Sequence, residues 1–319
     1  MKQDLGRYTP VLMPRYLDIF GQHDEMCNAL NTLAALVYRR GVPAVVDFSQ
    51  VSGAHPAGIL ATGASIHAAR AFRGNSDVTG TYPIDKDSAQ ILQAAGFFDL
   101  LKVKHLTANR PAGGNERWIK PITNTQCLGQ SVEQLHHSIF ADEPTIDEFT
   151  YAQMYIGLTE GMANVVQHAY PKDELRAVTP FIEDRWWLSG HLNRMRRELT
   201  FCICDLGIGI PKTISKKVAE HRREDSIAFL ESESSTDPAL IRLALMEGGT
   251  RTDLPWRGKG LRQMRAVVDE IGGRVRIASG FGACHYQAGR CVESAFPLPL
   301  TGTVVEWTIP LRPTKKGRR

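Results

Sequence analysis

The sequence predicts an α/β N-terminal half followed by an α+β C-terminal half. Over the first ~125 residues, short β-branched runs alternate with helical patterns, which is typical of a mostly parallel sheet with helical crossovers. The second half instead combines one long helix with consecutive strand patterns. A loop-like stretch lies at residues 109–115, and we predict domains at 1–125 and 126–312, followed by a basic tail at 313–319.

The N-terminal half contains segments whose apolar residues recur at helical or strand-like spacing. We predict helix 24–40, strand 44–48, helix 56–72, strand 77–82, helix 88–95 and strand 116–122. The third of these helices should end at Gly96, because glycine readily adopts the left-handed conformation that closes helices.

The C-terminal half contains a predicted capping box formed by Thr145 and Glu148. The long helix that follows must end near Pro171, because proline cannot donate an amide hydrogen bond. The last two strands alternate at period two, which predicts one solvent-exposed face for each. The remaining elements that we predict are strands 185–188, 199–204, 274–277 and 303–309 and an amphipathic helix 260–271.

The composition is that of an ordinary globular protein, with 43% apolar and 23% charged residues. No apolar run approaches the roughly 18–20 residues that span a bilayer, and the first residues do not resemble a signal peptide. The net charge of +4 includes five cations in the last eight residues, so the rest of the chain sums to −1. We therefore expect no membrane partner, and nucleic-acid binding through the basic tail is the hypothesis that we rank last.

The six cysteines contain no CxxC pair. Cys202 and Cys204 alternate along one strand and are interpreted as core thiols. Cys284, His285 and Cys291 form a cluster that resembles metal ligands, but it lacks a fourth partner. This cysteine usage predicts a cytoplasmic protein with reduced thiols.

Three polar residues recur four apart on the long helix: Glu160, Asn164 and His168. At 100° per residue they form a stripe that is separate from the apolar side of the helix. This row is a candidate functional edge, although by itself it is also compatible with an ordinary solvent-exposed face.

Asp205 ends an apolar strand and is followed by Gly207 and Gly209. A carboxylate followed by two glycines suits the close approach of the backbone to a planar ligand. An ordinary strand-to-helix turn would have the same pattern. The motif is not a dinucleotide-binding fingerprint, because Lys212 stands where that fingerprint needs glycine.

Gly258, Lys259 and Gly260 open a predicted helix, whose first amides and positive dipole end can face an anion. This segment is not a P-loop, which would need glycine at Asp253 and a hydroxyl at Gly260. Each of the three motifs is a weak signal alone, but their order along the chain and on matching elements is a strong one.

In that order the motifs resemble the GHKL family of ATP-binding domains, which includes gyrase, heat-shock chaperone ATPases and histidine kinases. Within the family, residues 164–170 are most similar to the anti-sigma-factor serine kinases. The resemblance covers roughly residues 128–311 and implies a two-layer sandwich, with helices on one face of a mixed sheet. The residues that carry it are Glu160, Asn164, His168, Asp205–Gly209, Gly258–Leu261 and Gly302-Thr303.

The resemblance implies ATP and Mg²⁺ as cofactors, with Asn164 as the metal ligand and Asp205 as acceptor of the adenine amino group. It implies that Glu160 is the general base, which activates water or a protein hydroxyl. Residues 211–257 would form a mobile lid over the nucleotide. The other residues expected at the nucleotide are His168, Gly207, Gly209, Ile210, Arg251, Gly258, Lys259, Gly260, Leu261 and Thr303.

The resulting hypothesis is a Mg²⁺-dependent regulatory protein that hydrolyses ATP or transfers its phosphate to serine or threonine. The alternative is an ATP-gated interaction protein without turnover. A protein partner is expected in either case, and a homodimer stays open. His136 and His137 lie too close to the motif for the helical hairpin of a sensor histidine kinase.

The N-terminal half resembles STAS-like domains, the fold of anti-anti-sigma factors. Val45–Ser49, the helix after Pro56 and the segment Leu92–Phe98 carry this resemblance. The phosphate-accepting serine of that family would fall at residues 55–58, where this chain has no hydroxyl. This departure argues against a phosphorylated switch within the chain, and a generic α/β docking domain is the alternative.

Overall fold

The structure is a computed structural model of a mixed α/β protein. Several predicted features lie outside the described residues: Thr145 of the capping box, Arg251, Gly258, residues 222–235 and 247–257 of the lid, and the basic tail. The described residues are 5–74, 77–106, 114–140, 147–171, 184–221, 236–246 and 259–311.

A parallel sheet in the order β1–β3–β5 organises the N-terminal half, as the alternating pattern predicts. A smaller parallel pair joins β2 to β4. The bounds of these strands are β1 Thr9–Leu12, β2 Tyr16–Leu17, β3 Ala44–Asp47, β4 Gly53–Ala54 and β5 Val78–Gly80.

The helices of this half follow the predicted periodicity. The first helix continues as a π-helical segment over Ala35–Arg40. The third begins at Asp85, whose carboxylate accepts a hydrogen bond from the Ser88 amide at 2.8 Å, and Gly96 follows it with φ 83°. The bounds are α1 His23–Ala34, α2 Pro56–Arg73, α3 Lys86–Ala94 and α4 Phe97–Leu101.

The C-terminal half contains a six-stranded sheet in the order β10–β11–β9–β8–β6, with β7 also paired to β8. Every described pair is antiparallel, so the expectation of a mixed sheet is wrong. The reason is that β8–β9 and β10–β11 are hairpins, whose strands run in opposite directions. The bounds are β6 Glu116–Trp118, β7 Ile122–Asn124, β8 Trp186–Asn193, β9 Glu198–Asp205, β10 Arg274–Gln287 and β11 Arg290–Pro310.

We call the side of this sheet that carries Ile203 and Val305 the front face. Two central helices, α6 and α9, pack on it and against each other. The glycine at Gly157 of α6 allows this approach, because a Cβ there would lie 2.9 Å from the Trp307 ring. The bounds are α5 Gly129–Phe140, α6 Glu148–Asn164, α7 Ile210–His221, α8 Asp237–Met246 and α9 Lys259–Ile271.

The N-cap of α6 is Asp147, whose carboxylate accepts from the Thr150 amide at 3.0 Å. The helix therefore begins at Glu148, and its cap is Asp147 rather than the predicted Thr145. It continues as a π-helical segment over Val165–Ala169 and ends before Pro171, as predicted.

The rear face, which carries Cys202 and Glu306, is covered by α1 and α2 of the N-terminal half. A single hydrophobic core consequently includes residues of both halves. The expectation of helices on one face only is wrong, because β8 and β9 are apolar on both sides and are buried on both. The prediction of a solvent-exposed face for β11 is wrong for the same reason, since Glu306 and Thr308 are 0% and 1% exposed.

The two halves share more than this interface. Strands β6 and β7 precede residue 126, yet they pair with β8. The sheet of the C-terminal half therefore includes residues that lie before the predicted boundary. The predicted strand 116–122 is divided in two around Pro121, which cannot donate to a strand ladder.

Cys284 and Cys291 form a disulfide between β10 and β11, so the expectation of reduced thiols is wrong for this pair. The four other cysteines are free. No cluster of three or more metal-ligating side chains occurs among the described residues. Within the same residues, no helix is long and apolar enough to cross a membrane.

Candidate functional site

The C-terminal half of α6, the C-terminal end of β9 and the part of β11 at Thr303 and Val305 enclose a cavity. Its empty volume is about 1050 Å³ including solvent at its mouth, and α7, α8 and α9 form its outer walls. Most of its surface is apolar, as is usual for small-molecule pockets. Its lining residues are Gly161, Asn164, Val165, His168, Ala169, Ile203, Cys204, Asp205, Gly209, Ile210, Thr213, Ile214, Leu243, Ala244, Leu261, Arg262, Met264, Thr303 and Val305.

The structure brings together most of the sequence-predicted residues that it describes. Asn164 and His168 lie on one wall, and Asp205 with Thr303 on the floor. Leu261 comes from the first turn of α9. The side chain of Lys259 and the surroundings of Gly260 are not described, and Arg251 and Gly258 lie outside the described residues. Gly209 and Ile210 also line the cavity.

Asp205 is the buried carboxylate of this cavity, with 5% of its surface exposed. Its Oδ1 accepts a hydrogen bond from the Gly207 amide at 2.8 Å. Burial raises the pKa of Asp205 to about 7, and the hydrogen bonds from Gly207 and Thr303 only partly offset that rise. The carboxyl group is therefore close to half-ionised near neutral pH and can still accept a hydrogen bond from a ligand.

Ser279 of β10 holds the floor of the cavity together. Its hydroxyl accepts from the Ile210 amide at 3.0 Å and donates to the Gly302 carbonyl at 2.9 Å. The Thr303 hydroxyl lies 3.1 Å from the same oxygen. This network fixes the start of α7 to the part of β11 that carries Thr303.

Gly207 does not line the cavity, contrary to prediction. A side chain at Gly207 would collide with the carbonyl of Ala169, so this glycine lets the end of α6 touch the turn after β9. Gly209 has φ +85°, and a Cβ there would lie 2.7 Å from Ser279 Oγ. The two glycines of the motif thus serve contacts with the polypeptide itself.

Glu160 is also absent from the cavity lining. It lies one turn before Asn164 and is half-buried. Its carboxylate adds to the effect of burial in raising the pKa of Cys127, whose thiol donates to the Thr159 carbonyl at 3.2 Å. Glu160 therefore faces the segment before α5.

The direction of α6 determines how far Asn164 and Glu160 lie from Asp205. Ala169 touches the turn after Asp205, Asn164 is more than one turn earlier, and Glu160 is a further turn away. Since each turn rises about 5.4 Å, Glu160 lies beyond Asn164 from the Asp205 end. A ligand lying along the helix would have one end at Asp205 and the other towards Asn164 and Glu160.

Sequence reasoning missed the residues that shape the cavity floor. Ser279 is fully buried, and Ile203, Val305 and Met264 supply the apolar walls. The alternation of β9 and β11 could have placed Ile203 and Val305 beside Asp205, because residues two apart share a face. The register that pairs Thr303 with Asp205 is visible only in the structure.

The side-chain oxygen of Asn164 suits a magnesium ion that is bound together with phosphates. The Asn164 side chain is half-buried and makes no hydrogen bond with any other residue that the structure describes. Mg²⁺ prefers oxygen ligands and usually keeps waters and substrate phosphates, so a single amide oxygen is a sufficient protein ligand.

No protein-family model matches this chain, and no curated protein matches it significantly.

Proposed function

We propose that this protein binds ATP with Mg²⁺ as a regulatory protein of the GHKL class. The observation that supports the proposal best is that Asn164, Asp205 and Leu261, from three separate motifs, border one cavity. The helix edge, the strand end and the helix start that carry these residues are distant in sequence. Chance would not place all three around the same apolar cavity.

In this proposal Asp205 accepts a hydrogen bond from the adenine amino group while Thr303 orients the carboxylate. Ile203, Val305 and Met264 enclose the base, whose flat faces suit apolar walls. Asn164 holds Mg²⁺, which neutralises charge on the phosphates when it is bound. The first amides of α9 face the phosphates, because a helix N-terminus favours anions.

Glu160 is the proposed general base for hydrolysis or for transfer to a serine or threonine hydroxyl. Its position beyond Asn164 matches the phosphate end of a nucleotide whose base contacts Asp205. A general base must come within hydrogen-bonding reach of the group that it deprotonates. In this role Glu160 would accept the proton of the attacking water or hydroxyl.

One observation favours the alternative, an ATP-gated interaction switch without turnover. Glu160 does not line the cavity, whereas Asn164, Asp205 and Thr303 do. In that case ATP would change the docking of a protein partner, and the N-terminal half, which covers the rear of the same sheet, is the proposed docking module.

Calorimetry with ATP and Mg²⁺ tests the binding proposal. The wild type should bind, and Asn164→Ala should weaken Mg²⁺-dependent binding by about tenfold while adenosine affinity is retained, because Asn164 contacts only the metal. Equal Mg·ATP affinity in both proteins would remove Asn164 as a ligand. No binding by the wild type would contradict the proposed function itself.

Turnover separates the two candidate functions. If Glu160 is the base, Glu160→Gln should lower phosphate release by at least about a hundredfold and leave ATP affinity unchanged. Equal rates in wild type and variant would favour the interaction switch. Gln153, a half-buried polar residue two turns earlier on the same helix, provides the control substitution Gln153→Ala, which should change neither quantity.

A further inference from the structure

A second cavity lies on the rear of the six-stranded sheet, between that sheet and helices α1 and α2. Its empty volume is about 630 Å³ including the space at its mouth. We call it the rear cavity. Its lining residues are Cys27, Leu30, Asn31, Leu33, Ala34, Tyr38, Ala61, Ser65, Ala69, Cys204, Leu206, Pro299, Leu300, Thr301 and Val304.

The chemistry of this lining excludes a charged occupant. No ionic side chain is among the described residues that line it, and most of the surface is aliphatic. Burial raises the pKa of Cys27 to about 12 and that of Cys204 well above its ordinary value, so both thiols stay neutral. A charged group placed here would lose its hydration without gaining a partner.

The polar groups of the lining are few, and two of them, the hydroxyls of Tyr38 and Thr301, are unused within the described part of the chain. Ser65 Oγ donates to the Ala61 carbonyl at 2.9 Å, and the Asn31 amide reaches the Pro299 carbonyl at a long 3.4 Å. The Tyr38 hydroxyl makes no hydrogen bond with any described residue. Burial also raises the pKa of Tyr38, so its hydroxyl remains a donor at neutral pH.

Tyr38 also lies on an irregular part of its helix. It belongs to the π-helical segment Ala35–Arg40 that continues α1. Such segments are rare and occur frequently at functional sites. The same irregularity, at Val165–Ala169, borders the cavity beside Asp205, which we call the front cavity. Both cavities therefore lie at the widened end of a helix.

We propose that the rear cavity is a binding site for a small, uncharged, mainly apolar molecule that accepts a hydrogen bond from Tyr38. The class includes alcohols, ketones and esters with a hydrocarbon body. Apolar walls with one well-placed polar group are the usual composition of a small-molecule site. The proposal does not depend on the nucleotide assignment, because it uses a different cavity.

The test must distinguish the two cavities, because Cys204 lines both. Phenylnaphthylamine, an uncharged dye whose fluorescence rises in apolar surroundings, serves as the probe for the full chain. Ala34→Phe places a ring in the rear cavity, and the matched control Ala244→Phe places one in the front cavity. Both alanines are half-buried helix residues, so the two variants should differ mainly in which cavity is filled.

We expect saturable dye binding by the wild type and by Ala244→Phe, and binding weaker by at least about tenfold in Ala34→Phe. Saturable binding that Ala244→Phe abolishes and Ala34→Phe leaves intact would overturn the proposal. The absence of saturable binding by the wild type would overturn it as well. Should Ala34→Phe fail to fold, Ser65→Leu fills the same cavity from α2 and carries the same expectation.

Displacement of the dye tests the ligand class. Octanol should displace it from Ala244→Phe, and octanoate should require at least about tenfold higher concentration because its charge would be buried unpaired. Tyr38→Phe in that background should weaken octanol binding about fivefold, the effect of one neutral hydrogen bond. Equal displacement by octanol and octanoate, or no effect of Tyr38→Phe, would contradict the proposed ligand chemistry.

Discussion

Two buried carboxylates on opposite faces of the same sheet have opposite electrostatic environments. Asp205 contributes to the front cavity and is 5% exposed, while Glu306 faces the rear and is 0% exposed. The described partners of Asp205 are neutral donors, and burial raises its pKa to about 7. The neighbours of Glu306 include Arg276 and His55, whose hydrogen bonds and charges hold its pKa below the usual value despite burial.

The difference shows that burial alone does not decide what a carboxylate does. Glu306 Oε1 accepts from Arg276 at 2.9 and 2.6 Å, and Oε2 lies 3.0 Å from His55 Nδ1. Both oxygens are therefore committed: Oε1 to Arg276 of the neighbouring strand, and Oε2 to His55 of the N-terminal half. Asp205 lacks a described cationic partner, which leaves its carboxylate able to change protonation or to accept from a ligand.

The largest expected effect concerns the pH dependence of stability at Asp205. Because its pKa is 3.8 ordinarily and about 7 when folded, the native state holds an extra proton between these values. The extra proton stabilises the native state relative to the unfolded chain by an amount on the order of 4 kcal/mol. This contribution is fully present below about pH 4 and is lost as pH rises towards 7. Urea unfolding of wild type and Asp205→Asn should show the variant gaining relative stability over that range. A constant difference between them would contradict the raised pKa.

The second effect is the loss of a buried ion pair at Glu306. Glu306→Gln leaves the Arg276 guanidinium without its counter-charge and should lower the free energy of unfolding by about 3 kcal/mol. The control is Glu293→Gln, which removes the exposed pair with Arg242 and should cost less than about 1 kcal/mol. Equal losses of unfolding free energy in the two variants would show that the buried pair stabilises the protein no more than the exposed pair does.

The third effect concerns ligand binding at Asp205 and rests on the proposed function. Asp205→Asn should weaken ATP binding by about tenfold at pH 8, since a hydrogen bond to a charged acceptor is stronger than one to an amide. Wild-type affinity should rise as pH increases through about 7, where the carboxylate ionises. Calorimetry at pH 6 and pH 8 measures both quantities. If ATP affinity changed with pH equally in wild type and variant, the titrating group would belong to the ligand rather than to Asp205.

The smallest effect is expected at His55, which closes the contact between the halves from the N-terminal side. Its side chain is 25% exposed, so His55→Gln should cost only about 1 kcal/mol of unfolding free energy. His105→Gln, at a half-exposed histidine paired with Asp99, is the matched control and should cost close to nothing. A larger loss at His105 than at His55 would contradict the role of the interface.

His55 also qualifies the resemblance of the N-terminal half to STAS-like domains, which stays a prediction. It stands in the segment where that resemblance places a phosphate-accepting serine, immediately before α2. In this chain the position contacts Glu306 on the rear of the sheet. A contact between the halves occupies the place where that family would carry a modification.

Local signals were sufficient for most of the elements. The helix at Pro56–Arg73, the strand that ends at Asp205 and the termination of α6 before Pro171 were predicted because periodicity, glycine and proline act within a few residues. The same reasoning failed at Thr145, since Asp147 caps α6. Both residue types cap helices well, and the choice between them depends on where the chain enters the helix.

By itself the sequence determined which segments form helices and strands and which residues end them, including Asp205 and the polar row of α6. The tertiary structure alone decided which residues share a cavity and which faces are buried. The alternation of β11 predicts a wet face, but α1 and α2, more than 200 residues earlier in the chain, cover that face and turn Glu306 into a buried ion-pair partner. Side-chain period is a local property, whereas burial depends on contacts between distant segments, which periodicity does not encode.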